Sequence, residues 1–175
     1  MNSRDKIKNK NFQTLLVRGG LCRSHHGETS EAIFMNSSYV FKTAEQAELR
    51  FLGKQKGYLY SRYGNPTVSI FEERMALNEG SESCFATSSG MAAVFSALMC
   101  QLKSGDEVIA SRSLFGSCYY ILNNIMPRYG IKTKLIDGTN YDQWKYYINK
   151  NTKCVFLETP SNPLMEIIDI KKVSK

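Results

Sequence analysis

The folding pattern of the chain is clearest in residues 107–136, which read EVIASRSLFGSCYYILNNIMPRYGIKTKLI. This run predicts a strand, a helix and a second strand, at residues 107–110, 117–126 and 131–136. Pro127 is expected to stop the helix, because proline cannot donate the next backbone hydrogen bond. A strand, a helix and a second strand in direct succession indicate two parallel strands joined by a helical crossover.

The same alternation extends on both sides of this run. It predicts a strand at 84–86, a buried helix at 91–102, a helix at 141–148, a strand at 154–157 and the start of a helix at 168–175. We therefore predict an α/β fold with three αβα layers, in which helices cover both faces of a mainly parallel sheet.

The first third of the chain has less regular patterning. Residues 1–11 are polar and expected to be disordered, and residues 38–41 are β-prone. Helices are predicted over 44–52 and from Pro66 to a stop at Gly80.

Composition restricts the class of protein. The chain has 175 residues, 42% of them hydrophobic, and no apolar run near the about 20 residues that cross a bilayer. Its net charge of +7 comes from scattered lysines rather than a basic patch, so nucleic acid is not an expected partner. Five cysteines without a CxxC pair predict reduced thiols in a cytoplasmic protein, with no metal site.

Residues 60–67, Tyr-Ser-Arg-Tyr-Gly-Asn-Pro-Thr, carry the densest set of chemical groups. The Arg62 guanidinium suits a phosphate or a carboxylate, while Asn65 and Pro66 suit the cap and first position of the following helix. The alternative is a loop that only leads into that helix, and the residues alone leave both interpretations open.

Three loops are expected beyond the carboxyl ends of the strands, where parallel sheets bind ligands: 87–90, 111–117 and 158–163. The hydroxyl-rich turn at 87–90 is either an anion site at a helix N-terminus or an ordinary helix cap. No GxGxxG or GxxxxGK[ST] motif is present, which argues against a dinucleotide or a P-loop nucleotide.

Single residues in the other two loops also have two interpretations. Phe115 can lie over a flat ring or pack in the core, and Asn162, between prolines, can face a ligand. Glu158 is interpreted as a paired structural carboxylate rather than a general base.

Three motifs together resemble one family. They are Tyr60-x-Arg62-x-x-Asn65-Pro66-Thr67, Ser89-Gly90-Met91 and Glu158-Thr159-Pro160-Ser161-Asn162-Pro163. The combination is similar to the Cys/Met-metabolism enzymes that use pyridoxal 5'-phosphate (PLP), which have the fold type I of PLP-dependent transferases. Wider runs, such as those at 17–20 and 71–74, resemble the O-succinylhomoserine sulfhydrylase subfamily, and the likeness extends from about Thr14 onward.

The resemblance implies a cofactor-binding role for Ser89, Gly90 and Met91, which would hold the PLP phosphate at a helix N-terminus. It places Phe115 on the pyridine ring, where many members have a tyrosine, and Asn162 on the ring hydroxyl. Stacking survives the change to phenylalanine, but the phenolic hydroxyl that some members use in proton transfer is lost.

The resemblance further implies that Tyr60 and Arg62 bind the phosphate of a neighbouring subunit. Active sites would then be shared within dimers, and two dimers would form a homotetramer. The expected partners are small molecules: an activated homoserine ester, with sulfide or cysteine. The implied reaction replaces succinate by sulfide to give homocysteine in methionine biosynthesis, with cystathionine γ-synthase and the γ-lyases as alternatives in the family.

In this family, the aspartate that pairs with the pyridine nitrogen and the lysine that forms the Schiff base lie further along than Lys175. Residues 1–57 are therefore expected to be an N-terminal arm and 58–175 the first part of the large PLP-binding domain. No catalytic residue is assigned, and the chain alone is expected to be inactive. Two alternatives of another class stay open: a non-catalytic fragment of a broken or split gene, and a non-enzymatic phosphate- or nucleotide-binding module that rests on the 87–90 turn.

Overall fold

The computed structural model describes residues 10–175. They divide into two compact units, one ending at Ala86 and the other running from Thr87 to Lys175. The expected disordered leader at residues 1–11 lies outside the described residues except for Lys10 and Asn11.

Within the described residues, the first unit contains three helices joined by irregular chain: α1 Phe12–Arg18, α2 Ala44–Phe51 and α3 Pro66–Glu79. The predicted ends of α3 are confirmed. The Asn65 side chain accepts a hydrogen bond from the Thr67 amide, Pro66 takes the first turn, and Gly80 ends the helix with a φ of 64°. Local sequence therefore sets both ends of the longest helix of this unit.

Helix α1 packs against α3, and the chain after α1 is held on the same helix. Gly20 has a φ of +70°, and a Cβ there would lie 2.6 Å from the Ile70 carbonyl oxygen. The Arg74 side chain donates to the Gly19 carbonyl and to the Glu31 carboxylate, each at 2.9 Å. Close backbone approach and this arginine fix the N-terminal segment on α3.

The predicted strand at residues 84–86 is wrong. The Ala86 amide donates to the Glu72 carboxylate at 2.8 Å instead of to a neighbouring strand, and the Phe85 side chain is 83% exposed. Residues 38–41 form only a single antiparallel bridge, between Ser38 and Tyr60, within the described chain. Among residues 10–175, no strand pairs with either segment, so β-propensity alone does not produce strands here.

The second unit alternates helices and strands as predicted. Its elements are α4 Gly90–Met99, β1 Glu107–Ser111, α5 Gly116–Tyr120, β2 Lys132–Ile136, α6 Tyr141–Tyr147, β3 Thr152–Phe156 and α7 Ile170–Val173. The three strands are parallel in the order β2-β1-β3, with Val108 opposite Thr133 and Cys154.

Both faces of this sheet are covered by helices. On one face, Val108 and Ala110 of β1 lie in a buried cluster with residues of α4 and α5. On the other, Ile109 and Ile136 pack with Trp144 of α6, whose indole N–H donates to the Gly138 carbonyl at 2.9 Å. Alternate residues of one strand thus face opposite layers, which confirms the three-layer αβα prediction.

The expected stop at Pro127 is wrong. Helix α5 continues through a π-helical turn, Ile121–Ile125, and a 3-10 turn, Met126–Tyr129, before Gly130 ends the segment at a φ of 73°. Pro127 is tolerated because it lies in the first turn of the 3-10 segment, where its missing N–H costs no helical hydrogen bond.

Candidate functional site

The loops that follow β1 and β3 leave the same edge of the sheet, since their strands are parallel neighbours. Glu158 joins them through both of its carboxylate oxygens. Oε2 accepts the Phe115 amide at 2.7 Å and Oε1 accepts the Asn162 amide at 2.7 Å. One side chain therefore sets the backbone positions of the two residues that the family resemblance implies at the cofactor ring.

A second link between these loops lies in the interior. The hydroxyls of Ser113 and Ser161 are 2.7 Å apart, and both residues are buried. The Ser161 hydroxyl also accepts the Glu166 amide at 3.0 Å, so its hydrogen-bonding capacity is used within the protein. The two loops are held in register by a buried hydroxyl pair and by a carboxylate nearer the surface.

Phe115 and Asn162 themselves remain accessible. The Phe115 side chain is 42% exposed and Asn162 is exposed, although both backbones are fixed by Glu158. Core packing, the alternative interpretation of Phe115, does not describe a ring with this exposure. The arrangement offers an aromatic face and an amide to a ligand at the carboxyl edge of the sheet.

The N-terminus of α4 lies in the same unit and has the geometry of an anion site. Ser89 caps the helix by accepting the Ala92 amide at 3.1 Å, which leaves the Gly90 and Met91 N–H groups of the first turn without an intrahelical acceptor. Apart from its chain neighbours and the backbone of α4, no described atom lies within 4 Å of the position that a Cβ on Gly90 would take. Backbone donors and the positive helix end therefore face open space.

Helices α4 and α5 border one hollow. Met91 and Phe95 line it from α4, and Gly116 and Ser117 line it from the start of α5, around a volume of about 470 Å³. The structure thus brings Met91 beside the residue that follows Phe115. The unpaired Gly90 and Met91 amides suit a phosphate, and the exposed Phe115 ring and Asn162 side chain suit an aromatic ring with a polar substituent, so the chemistry of these residues fits PLP; of the four, Met91 lines this hollow.

Tyr60 and Arg62 lie in the first unit. The Arg62 guanidinium stacks over the Tyr60 ring at 5.0 Å and the Tyr63 ring at 5.5 Å, and it is exposed. The backbone beneath is anchored, because the Ser61 amide donates to the Ser37 carbonyl at 2.9 Å. The two aromatic rings contact the guanidinium, and no hydrogen bond from it to another described residue is present, so its N–H groups can meet an anion.

Two further groups shape the electrostatics near the sheet edge. The Asp137 carboxylate follows β2, and hydrogen bonds from Thr139 together with the Arg112 charge lower its pKa. Burial, and to a smaller extent the charge of Glu158, raises the pKa of the Cys118 thiol, so this cysteine is held neutral.

Sequence reasoning recognised Glu158 as a structural carboxylate but missed what it holds, and it missed the Ser113–Ser161 pair entirely. The signal for the pair was a serine in each of two loops expected at the same sheet edge. Within residues 10–175, no three His, Cys, Asp or Glu side chains gather as metal ligands. Across the same residues, every helix is too short or too polar to traverse a bilayer.

The fold, the capped α4 terminus and the paired loops define a class of protein. Residues 13–175 match the family of Cys/Met metabolism PLP-dependent enzymes, and the chain belongs to that family. Its sheet and helices are those of fold type I PLP-dependent enzymes.

Individual relatives make the likeness more specific. The O-succinylhomoserine sulfhydrylase of Mycobacterium tuberculosis is 49% identical over 162 residues, which cover 93% of this chain and 40% of that protein. The O-succinylhomoserine sulfhydrylase of Pseudomonas aeruginosa is 45% identical over 164 residues, 94% of this chain and 41% of that protein. An L-methionine gamma-lyase of Fusobacterium nucleatum is 36% identical over 170 residues, 97% of this chain and 43% of that protein.

A solved structure supports the same assignment. The crystal structure of a putative O-acetylhomoserine (thiol)-lyase from Campylobacter jejuni, which contains N'-pyridoxyl-lysine-5'-monophosphate, superposes with a TM-score of 0.88 at 34% identity. The superposition covers 94% of this chain and 41% of that one. The chain therefore spans about two fifths of the length of the relatives that it matches.

Proposed function

We propose that this chain supplies the N-terminal part of an O-succinylhomoserine sulfhydrylase. The complete enzyme would replace the succinate on the γ-carbon of O-succinylhomoserine by sulfide, giving homocysteine for methionine biosynthesis. The observation that carries the proposal is the order of identities: two sulfhydrylases at 49% and 45%, and a methionine gamma-lyase at 36%.

The residues of the second unit would hold the cofactor. The Gly90 and Met91 amides, with Ser89 as cap, would bind the phosphate, because they are the unpaired donors of α4. Phe115 would cover one face of the pyridine ring, and Asn162 would donate to the ring hydroxyl. When bound, PLP supplies the electron sink that carbanion chemistry at the substrate requires.

The side chains present also restrict the chemistry. Phe115 offers an apolar face that stacks and excludes water, but it has no hydroxyl to hold a proton. Proton transfer at the substrate must therefore use another group. In the proposed site, the role of residues 87–162 is to bind and orient the cofactor.

Tyr60 and Arg62 would serve a neighbouring subunit. Their exposure and the free guanidinium edge support binding to a phosphate that another chain holds. We propose active sites shared within a dimer, a homotetramer built of two dimers, and a cytoplasmic location. Small molecules are the proposed substrates, and no nucleic acid is proposed as a partner.

The 175 residues are proposed to be inactive by themselves. They span about 40% of the sulfhydrylase relatives. The family resemblance implies that the Schiff-base lysine is none of Lys171, Lys172 and Lys175. Adding O-succinylhomoserine and sulfide to the purified chain with PLP should therefore produce no homocysteine. Sustained turnover by the purified chain would contradict this proposal.

A chimera tests the reaction itself. Residues 13–175 would replace the matching segment of the Mycobacterium tuberculosis sulfhydrylase, whose remaining sequence completes the protein. We expect homocysteine formation that depends on both sulfide and O-succinylhomoserine. A chimera that folds with PLP but releases methanethiol from methionine, without sulfide-dependent turnover, would favour a γ-lyase and refute the sulfhydrylase proposal.

A further inference from the structure

The Glu158 carboxylate has an unusual position among the acidic groups of the second unit. Both of its oxygens accept backbone N–H groups, and the donors lie on two different loops: Phe115, 43 residues upstream, and Asn162, 4 residues downstream. Among the described residues, no lysine or arginine forms an ion pair with it. Its negative charge strengthens the hydrogen bonds that hold these two amides.

We propose that Glu158 is a positioning residue for the ring of the cofactor. By holding the Phe115 and Asn162 amides on one carboxylate, it fixes the spacing between the stacking ring and the amide that meets the ring hydroxyl. It touches neither the cofactor nor the reacting atoms. This inference rests on the proposed function.

The chemistry of the contact requires a carboxylate of this length. Glutamine has one acceptor oxygen and one NH₂ group, so its NH₂ would oppose one of the two amides. Aspartate keeps both oxygens but withdraws them by one methylene and cannot reach both loops. The Ser113–Ser161 hydrogen bond would remain in either variant, so the two loops would stay connected. The spacing between the Phe115 and Asn162 amides would no longer be fixed.

The proposed role concerns the ring and not the phosphate. The phosphate donors, Gly90 and Met91, belong to α4 and make no hydrogen bond to Glu158 among the described contacts. A variant that disturbs only ring positioning should therefore weaken binding of a ring-bearing phosphate and leave inorganic phosphate unaffected. General loosening of the unit would weaken both.

The test compares Glu158→Gln with a matched control, Glu107→Gln. Glu107 also accepts two hydrogen bonds, from the Asn149 amide group and the Thr152 hydroxyl, but at the opposite edge of the same sheet. Each variant removes one negative charge. The probes are pyridoxine 5'-phosphate, which lacks the aldehyde that would modify surface lysines, and inorganic phosphate.

We expect Glu158→Gln to weaken pyridoxine 5'-phosphate binding about tenfold, the effect of losing one charge-assisted hydrogen bond. Inorganic phosphate binding should be unchanged, and Glu107→Gln should match the unsubstituted chain for both ligands. Equal affinities in all three proteins, or equal weakening for both ligands in Glu158→Gln, would overturn the positioning role alone. Failure of the unsubstituted chain to bind pyridoxine 5'-phosphate would instead refute the proposed cofactor site, and the positioning role with it.

Amide hydrogen exchange gives a readout that needs no ligand. In the unsubstituted chain the Phe115 and Asn162 amides should be protected, and both should exchange faster in Glu158→Gln while the amides of β1 keep their protection. Unchanged exchange at both positions would overturn the proposal. If Glu158→Gln does not fold, Glu158→Asp replaces it with the same expectations.

Discussion

Replacing Asn65 by alanine removes three hydrogen bonds from one buried side chain. Its carbonyl accepts the Thr67 amide at 2.9 Å, and its NH₂ donates to the Phe34 carbonyl at 2.9 Å and to the Ser61 hydroxyl at 3.1 Å. Loss of a helix cap costs about 1 kcal/mol. Each of the other two bonds contributes about 1 kcal/mol, so we expect a total loss of about 3 kcal/mol in the stability of the first unit.

A control in the same unit isolates the two NH₂ contacts. Asn11 caps α1 through one hydrogen bond to the Gln13 amide and is exposed. Asn11→Ala should therefore cost only about 1 kcal/mol. The expected difference of about 2 kcal/mol between the two variants belongs to the two NH₂ bonds of Asn65, one to the Phe34 carbonyl and one to the Ser61 hydroxyl.

Native-state hydrogen exchange of α3 amides measures this difference within the first unit, independently of the second. Asn65→Ala should lower the opening free energy of α3 by about 3 kcal/mol and also expose the Ser61 amide to exchange. Equal losses in Asn65→Ala and Asn11→Ala would contradict this prediction, because the buried NH₂ contacts would then contribute nothing.

Three further outcomes are expected. Leu122→Ala should destabilise the second unit by about 2–5 kcal/mol, since Leu122 is 0% exposed, and urea unfolding followed by Trp144 fluorescence measures it. Two hydrogen bonds from Ser24, the backbone N–H first, lower the pKa of Glu28 from 4.5 to about 2. Because folding lowers this pKa, the ionised Glu28 carboxylate stabilises the folded chain above pH 4.5, and this contribution is lost as the pH falls toward about 2. Ser24→Ala should raise the pKa of Glu28 toward 4.5, which an NMR titration measures. Iodoacetamide should label the exposed cysteines before Cys118, which is buried and has a raised pKa; mass spectrometry of partly labelled chain would contradict this if Cys118 reacted first.

Features set by local sequence were predictable. The caps at Thr43, Asn65 and Ser89 all form, and each side chain accepts an amide of the following first turn. The alternation of strands and helices from residue 107 onward gives the parallel sheet that the pattern predicts. These features depend on hydrogen bonds and apolar spacing within a few residues.

The errors arise where distant groups decide the structure. The Ala86 amide bonds to Glu72, a helix residue 14 positions upstream, so residues 84–86 do not pair as a strand. Pro127 does not end its segment because the chain tightens into a 3-10 turn that accepts proline in its first turn. The conformational propensities of single residues predict neither a hydrogen bond to a distant acceptor nor a change from one helix type to another.

The candidate site shows the same division. Ser89, Gly90 and Met91 can be located from sequence because capping is local, and the family resemblance adds Phe115 and Asn162. The carboxylate that joins these two loops acts across 43 residues of sequence. Only the folded sheet, which brings the ends of β1 and β3 to one edge, makes that contact visible.

The most direct measurement is a titration of the ¹⁵N-labelled chain with pyridoxine 5'-phosphate, followed by amide chemical shifts. We expect downfield shifts at Gly90 and Met91, the unpaired donors of α4, and little change at Asp142, whose amide already bonds to Asn140 at the start of α6. Saturable binding without shifts at Gly90 and Met91, or no binding at all, would contradict the claim that this chain contains the phosphate-binding half of a PLP site.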